Sequence, residues 1–313
     1  MKILERKEAD LHMHSHYSDG DCDIEELVKR IKEAGLKAAV LTDHDKIDGT
    51  RAFLKYCEIE NISSSTGIEI TTSFAQSPNV ESNELHILGY GFNIQKMFEY
   101  GNFLAHNLNQ RYEHILAMID LYSKSGEFII SSEEIIRMFK LPNTCLTNRY
   151  WLHKARALDL IKKSGNKIDF RTAYTEATRE IKEGERFYAP RGEFIKPQTA
   201  ISLINACGGI AVLAHPIKYL EDLKMTCDNP NKIFKKTLSL LRSSGLYGIE
   251  VYSRWNAHMA EELLRYCDKF DLCPNFGGSD YHGDKEDEHQ PGEYLGKGGI
   301  DYKKFAEIMS FNG

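Results

Sequence analysis

The sequence predicts an α/β fold in which short strands alternate with helices, and three observations support this class. Short apolar runs such as AAVLT and GIEVY are separated by stretches with the periodicity of amphipathic helices. Such alternation is typical of a parallel sheet. Between residues 94 and 188 the helical periodicity continues without a convincing strand. We therefore expect two β/α segments, residues 1–93 and 189–313, separated by an all-helical insertion at 94–188 that caps the substrate site.

The first strand and the first helix have clear signals. Residues 9–14 form the predicted strand, and the turn-rich SHYSDGD follows it. Asp23 is a suitable N-cap, Glu26 stands three residues later, and Gly35 lies where a helix commonly ends. The helix between them buries one face at the spacing i, i+3, i+4, i+7, formed by Ile24, Leu27, Val28 and Ile31.

The later elements follow the same alternation. Strands are expected at 38–42, 67–70, 84–92, 209–216, 248–252 and 272–280. Helices are expected at 50–60, 197–206, 231–243 and 257–269, with one more at the end. The runs add up to seven strands around one interrupted barrel. An eight-stranded barrel and an open doubly wound sheet fit the same pattern.

The composition is that of an average globular protein, with 42% apolar and 27% charged residues. Because 40 basic residues face 46 acidic ones, the net charge is −6, and no global positive field exists to hold a long nucleic acid. No apolar run is long enough to cross a membrane and no signal peptide is recognised, so we expect a cytoplasmic protein without a membrane partner. The seven cysteines form no CxxC pair and are expected to be free thiols.

Histidines and carboxylates are concentrated at the predicted strand ends. His12 and His14 lie two residues apart on one strand, so they point to the same face and can bind one ion together. The carboxyl ends of parallel strands converge at one edge of a sheet. The other candidate ligands expected at that edge are Asp19, His44, Glu69, His86, His215, Asp280 and His282.

Imidazoles combined with carboxylates suit zinc, manganese or iron(II). Nine candidates exceed the needs of one ion, so we expect two or three divalent ions with Glu69 bridging. A single histidine at a strand end is more often structural than a ligand, but two pairs at matching strand ends favour a metal centre. His16 is left out of the set, and His106, His114 and His153 in the helical segment are expected to be structural or exposed.

In this order, the motifs DLHMHSHYSDG, TDHD, GIE, ELHILGYGF, LAHP and GGSDYHG resemble those of the polymerase and histidinol phosphatase (PHP) superfamily of metal-dependent phosphoesterases. They span nearly the whole chain apart from the helical segment. The resemblance implies a distorted seven-stranded β/α barrel, (β/α)7, interrupted by an all-helical insertion. The insertion is similar to that of the subgroup that dephosphorylates nucleoside 3′,5′-bisphosphates, some members of which also trim short RNA from its 5′ end.

The resemblance also implies which residues hold the ions. His12, His14, Glu69 and Asp280 would hold the first, Glu69, His86 and His215 the second, and Asp19, His44 and His282 the third. In TNRYWLH a one-residue shift lets Arg149 serve as the subgroup's arginine, and Lys218 stands where an arginine is usual. With Arg254, these two cations are the expected phosphate contacts.

The hypothesis is hydrolysis of a phosphomonoester of a nucleotide or a nucleoside 3′,5′-bisphosphate. A metal-bound water would be the nucleophile, and His215 or a metal-bound water would protonate the leaving group. The expected partner is a small phosphorylated compound, with a short oligonucleotide as an alternative. Histidinol-phosphate phosphatase, 5′-3′ exonuclease and amidohydrolase-type activities are the rival enzymatic functions. A noncatalytic, metal-stabilised binding module is a rival of another class, which the full ligand set disfavours.

Overall fold

A computed structural model describes residues 5–74, 84–179, 189, 192–253, 256, 258–283 and 293–310. The strands in these ranges are β1 (Ala9–Asp10), β2 (Ala38–Ala39), β3 (Ser63–Ser64), β4 (Gly67–Ser73), β5 (Glu84–Tyr90), β6 (Ile210–Leu213), β7 (Gly248–Ser253) and β8 (Cys273–Gly278). The helices are α1 (Ile24–Glu33), α2 (Thr50–Ile59), α3 (Ile94–Glu99), α4 (Gly101–Ser125), α5 (Ser132–Phe139), α6 (Arg149–Lys163), α7 (Phe170–Arg179), α8 (Pro197–Ala206), α9 (Pro216–Thr226), α10 (Pro230–Ser243), α11 (Ala260–Phe270) and α12 (Tyr302–Ser310). The α/β class predicted from the sequence is confirmed.

The described strands form two sheets. One is parallel and has the order β1-β2-β3, and the other has the order β4-β5-β6-β7-β8. Isolated bridges join the two sheets at both seams, His44 to Glu69 at one and Met13 to Tyr281 at the other. The sheets therefore lie side by side but do not make one continuous closed sheet. The seven-stranded barrel remains a prediction, because β3 is an additional strand and closure rests on single bridges.

The direction of β5 differs from the expectation of a parallel sheet. This strand pairs antiparallel with both β4 and β6, whereas β6, β7 and β8 pair in parallel. A parallel connection needs a crossover of about a dozen residues or more, usually containing a helix. Residues 74–83 are too few for such a crossover, so the chain returns beside β4 in the opposite direction.

The predicted helix signals act as expected. The Asp23 side chain accepts a hydrogen bond from the Glu26 backbone nitrogen at 2.9 Å, and α1 buries its four predicted apolar residues. Gly35 follows the helix with φ of +75°, a left-handed conformation that glycine adopts without strain. Pro197 opens α8, since its missing N–H is not needed in the first turn.

Helices α3 to α7 occupy the described residues between 94 and 179, and no strand lies among them. They have an apolar core of their own, to which Met118, Tyr122, Trp151 and Leu152 belong. The boundaries of a separate insertion domain stay a prediction. Within the described ranges, no helix is both long and apolar enough to cross a membrane. All seven cysteines are free, as predicted.

Candidate metal centre

His12 and His14 lie directly after β1 and are fully buried. Although β1 ends at Asp10, the Met13–Tyr281 bridge keeps this segment in a strand-like path beside the chain that follows β8. The two imidazoles therefore point the same way, as the spacing of two predicts. Their Nε2 atoms lie 3.1 Å and 3.2 Å from the same oxygen, Oε2 of Glu69.

Four side-chain atoms surround one point at the centre of the site. Oδ1 of Asp280 lies 3.4 Å from His12 Nε2 and 3.3 Å from His14 Nε2. The fourth atom is Glu69 Oε2, which the same two nitrogens approach to 3.1 Å and 3.2 Å. Nitrogen and oxygen ligands bind zinc at about 2.0–2.2 Å, which places the ligand atoms of a tetrahedral site about 3.4 Å apart. The observed spacing is that of a shell around one ion. The four residues are those that the resemblance implied for the first ion.

Two further groups adjoin this shell, and within each the candidate ligand atoms lie within 4.8 Å of one another. One group consists of His14, Asp19, His44 and His282, and the other of His44, Glu69 and His86. His215 also belongs here, because its Nε2 lies 3.0 Å from Glu69 Oε1, the oxygen that His86 Nδ1 approaches to 2.9 Å. The nine predicted residues thus form one connected cluster that includes Glu69. Which residues share which ion stays a prediction.

His86 reaches the centre by a different route from the other candidates. It was expected at or near the carboxyl end of its strand, but it lies near the amino end of β5, opposite Thr71 of β4. This expectation was wrong because β5 is antiparallel, so its amino end lies at the edge where the parallel strands finish. Glu69 lies inside β4, where its bridge to His44 holds it at the seam between the sheets.

Several buried atoms of the centre fit a metal ion better than they fit the protein alone. In the described part of the chain, both ring nitrogens of His14, Nδ1 of His44 and Oδ1 of Asp19 have no hydrogen-bond partner. Leaving a buried polar atom unsatisfied costs about 1–3 kcal/mol. Bound divalent ions would satisfy these atoms, so the donor set fits the metal that the sequence predicts.

The electrostatics of the centre keep its carboxylates ionised. Burial alone raises the pKa of Glu69, but the imidazoles of His44 and His12 outweigh it and hold this pKa well below its usual range. Burial likewise raises the pKa of Asp280, and Lys218 with His12 reverses the effect and lowers it well below normal. Ionised carboxylates at the centre are the form that binds divalent cations.

A cavity of about 140 Å³ opens beside the centre, between the sheet edge and the helices. Its wall includes the candidate ligands Asp19, His44 and His86 together with Arg111 and Arg149. Arg111, which was not predicted from the sequence, occupies one polar position of the long helix α4. Its Nε donates to Asp45 Oδ2 at 2.8 Å, and its guanidinium lies 5.5 Å from the centre of the Phe194 ring.

The three cations predicted to contact phosphate have different positions. Arg149 is exposed and lines the cavity. Lys218 is not among the wall residues of this cavity, and its Nζ lies 3.1 Å from Asp280 Oδ2. Arg254 is outside the described residues. Substrate contact by all three therefore stays a prediction.

A family model described as the PHP domain matches residues 10–247. The chain belongs to the PHP domain family. Membership makes it a hydrolase of the metal-dependent phosphoesterase class, in agreement with the prediction from its motifs. The match begins two residues before the first candidate ligand and extends beyond His215.

Three curated relatives align with most of this PHP chain. A 5′-3′ exoribonuclease of Haemophilus influenzae is 28% identical over 286 residues, which is 88% of this chain and 90% of the relative. A phosphoribosyl 1,2-cyclic phosphate 1,2-diphosphodiesterase of Eggerthella lenta is 25% identical over 88% of this chain and 94% of the relative. A 3′,5′-nucleoside bisphosphate phosphatase of Chromobacterium violaceum is 23% identical over 87% of this chain and 86% of the relative.

Two solved structures share the fold. A Bifidobacterium adolescentis protein assigned as a metal-dependent phosphoesterase superposes with a TM-score of 0.77 at 22% identity, covering 99% of this chain and 98% of the other. A Chromobacterium violaceum protein named as an amidohydrolase, with bound sulfate and no metal, superposes with a TM-score of 0.72 at 23% identity, covering 96% of both chains. At these identities the likeness concerns the fold alone.

A buried carboxylate next to the PHP centre was also not predicted from the sequence. Glu250 of β7 is fully buried, and its Oε1 lies 3.1 Å from His12 Nδ1 while its Oε2 accepts a hydrogen bond from the His215 backbone nitrogen at 2.8 Å. Carboxylates in this position fix the orientation and tautomer of ligating histidines. The only signal was a glutamate inside the apolar run GIEVY.

His215 was predicted both as a ligand and as a candidate acid. It lies at the start of α9 with φ of +25°, a conformation that a non-glycine residue rarely adopts. Burial, followed by the charge of Lys218, lowers the pKa of its imidazole to about 3. Near pH 7 the ring is therefore neutral, which suits a ligand and disfavours a proton donor.

Proposed function

We propose that this chain hydrolyses the phosphomonoester of a nucleotide or a nucleoside 3′,5′-bisphosphate with the help of two or three divalent ions. The observation that carries the proposal is the shell formed by His12, His14, Glu69 and Asp280, in which the two imidazole Nε2 atoms lie 3.1–3.4 Å from the two carboxylate oxygens. Hydrogen-bonded contacts within a folded core rarely bring four side chains from three distant segments onto one point. Ligand shells do so by necessity.

Three adjoining groups of residues would hold the ions. Any two of these groups have one residue in common, which is His14, His44 or Glu69. When bound, ions of this kind neutralise phosphate charge and activate water for attack on phosphorus. The protein itself contributes the orientation of the His12 imidazole through Glu250 and the exclusion of solvent from the buried ligands. We assign no proton donor to His215, since its imidazole is neutral.

The cavity beside the centre supports a small anionic substrate. Arg111 and Arg149 give its wall positive charge, and Phe194 provides an apolar ring at the same wall. Arginine recognises phosphate through paired hydrogen bonds. The relative from Chromobacterium violaceum, a 3′,5′-nucleoside bisphosphate phosphatase, supports the same substrate class.

A second candidate is removal of nucleotides from the 5′ end of short RNA. It is favoured by the relative from Haemophilus influenzae, a 5′-3′ exoribonuclease that aligns with 88% of this chain. The net charge of −6 favours a short oligonucleotide over a long one, because long chains depend on extended positive surfaces.

The test is turnover by the full chain in Mn²⁺, Fe²⁺ or Zn²⁺ with a fixed substrate panel. The panel contains adenosine 3′,5′-bisphosphate, an aryl phosphate, histidinol phosphate, phosphoribosyl cyclic phosphate and a 5′-phosphorylated RNA trimer. We expect the fastest phosphate release from the bisphosphate. Faster mononucleotide release from the trimer would favour the second candidate, and no turnover of any compound with any ion would reject both.

The variant His14→Ala identifies the centre as the source of the activity. We expect turnover to fall on the order of 10³-fold, since His14 belongs to two candidate ligand groups. The matched control is His106→Ala, because His106 is exposed on α4 and its ring nitrogen contacts only the Glu193 carbonyl oxygen among the described residues. Unchanged turnover in His14→Ala would contradict the ligand assignment.

A further inference from the structure

Side chains in the first turns of α6 bind the loop of residues 15–22, which contains Asp19. Trp151 Nε1 donates to the Ser18 carbonyl oxygen at 2.8 Å, and Tyr150 Oη donates to Asp21 Oδ1 at 3.0 Å. Lys154, buried against the rings of Tyr150 and Trp151, forms an ion pair with Asp21. The helices therefore hold loop 15–22 from outside the sheets.

The sheet side holds the backbone of the same loop independently. Asp43, which follows β2, accepts hydrogen bonds from the Ser15 nitrogen at 2.8 Å, the Ser15 hydroxyl at 2.7 Å and the Ser18 hydroxyl at 2.6 Å. The Asp21 nitrogen donates to the His282 carbonyl oxygen at 2.7 Å. The path of loop 15–22 is thus fixed without any contribution from the Asp19 side chain.

The orientation of the Asp19 carboxylate depends on a different residue, Asn148. Its Nδ2 donates to Asp19 Oδ2 at 2.8 Å. The imidazoles of His282, His44 and His14 are farther from this carboxylate, at 3.5 Å, 3.6 Å and 3.7 Å. Oδ1, the other oxygen, has no hydrogen-bond partner in the described part of the chain. The amide therefore holds Oδ2, the oxygen that His282 and His44 approach, while Oδ1 lies nearest to His14.

Asn148 also makes a second hydrogen bond, which has a different role from the first. Its Oδ1 accepts a hydrogen bond from the Tyr150 nitrogen at 2.9 Å, so the same side chain is the N-cap of α6. The residue also lines the substrate cavity, as do its neighbours Thr147 and Arg149. One short side chain thus connects the start of a helix, the cavity wall and a candidate ligand.

We propose that Asn148 is a positioning residue for the ion bound by His14, Asp19, His44 and His282. This inference rests on the proposed function, because it requires that the centre binds ions. Residues that hydrogen-bond a ligating side chain typically contribute 10–100-fold to metal affinity. Of the four ligands, Asn148 hydrogen-bonds Asp19 alone, at 2.8 Å, so the loss of this contact weakens this ion position selectively.

The decisive variant is Asn148→Ser in the full chain. Serine is as good an N-cap as asparagine but is too short to reach Asp19, so the substitution removes the amide contact and keeps the cap. The matched control is Asn93→Ser, because Asn93 caps α3 through the Lys96 nitrogen at 3.0 Å and is not a wall residue of the cavity. Metal-free protein is titrated with Mn²⁺, and bound ions are counted by calorimetry and by the electron spin resonance of free Mn²⁺.

We expect Asn148→Ser to raise the dissociation constant of one class of Mn²⁺ site by 10–100-fold, with the other class unchanged. Without metal, the thermal midpoint of unfolding of Asn148→Ser should match that of Asn93→Ser. Asn148→Ser with all dissociation constants equal to those of the wild type would overturn the inference while leaving the proposed function intact. A uniform loss of every class would also overturn it. A wild-type chain that binds no Mn²⁺ would instead overturn the proposed centre itself.

Discussion

Histidines are buried in two regions of this chain, and their surroundings differ. At the metal centre, His12 and His14 lie 3.1–3.4 Å from oxygens of Glu69 and Asp280. In the helical region His153 is buried almost as deeply, at 6% exposure, but it faces the ring of Tyr174. Burial is therefore common to both regions, and convergence of carboxylates is what distinguishes the candidate centre.

The difference has an electrostatic consequence. Burial lowers the pKa of His12, but the charges of Glu69 and Glu250 outweigh it and raise this pKa well above its usual value. Burial also lowers the pKa of His153, and His114 adds to the effect, so that the pKa is about 4. A site that stabilises one positive charge on an imidazole can stabilise a divalent cation in its place. The surroundings of His153 exclude positive charge.

Substitution of Glu69 should have the largest effect. Its two oxygens lie within 2.9–3.3 Å of ring nitrogens from five histidines: His12, His14, His44, His86 and His215. Glu69→Gln removes the shared negative charge, so we expect bound metal to fall to near zero and turnover to fall on the order of 10³-fold or more. Metal content is measured by mass spectrometry of the purified protein.

The control for this change is Glu261→Gln. That glutamate is 92% exposed on α11, and it forms an ion pair with Arg265 of the same helix and not with a residue of the centre. It should bind metal as the wild type does. Full metal content in Glu69→Gln would mean that metal binding does not need this carboxylate. Convergence of carboxylates would then no longer distinguish the centre from the helical region.

Removing the carboxylate behind His12 should have a smaller effect. In Glu250→Gln the shape of the side chain is kept, but the charge that fixes the Nδ1 proton of His12 is lost. We expect metal affinity to fall by about 10–100-fold, with turnover recovering when excess Mn²⁺ is supplied. Turnover measured across a Mn²⁺ series tests this. A loss that no metal concentration restores would mean that Glu250 acts on the reaction and not on the ligand.

The main features of the centre could be predicted from the sequence because they depend on local periodicity. The alternation at His12 and His14 places both side chains on one face whatever the rest of the fold does. The convergence of distant strand ends needed only the expectation of a β/α architecture. The nine candidate residues were therefore accessible without coordinates.

Other features depend on three-dimensional contacts that leave no local pattern. The antiparallel direction of β5 is a matter of its pairing with β4 and β6, and no residue pattern inside the strand indicates that direction. Glu250 lies in an apolar run where a single acid resembles an edge residue, and Arg111 occupies an ordinary polar position of an amphipathic helix. Only the packing of α4 and β7 against the centre distinguishes these two residues.

The helical histidine provides the complementary test, in which metal binding should not change. In the folded chain His153 stays neutral because its pKa is about 4, whereas an unfolded histidine titrates near 6.5. As the pH falls from 7 to 5 the unfolded state takes up the proton, so this residue should lower the free energy of unfolding by about 2 kcal/mol. His153→Leu should remove that part of the pH dependence. Denaturation of metal-free wild type and variant at both pH values measures the difference. An equal loss in both chains would show that the fold does not protect His153 from protonation, and would remove the electrostatic contrast with His12.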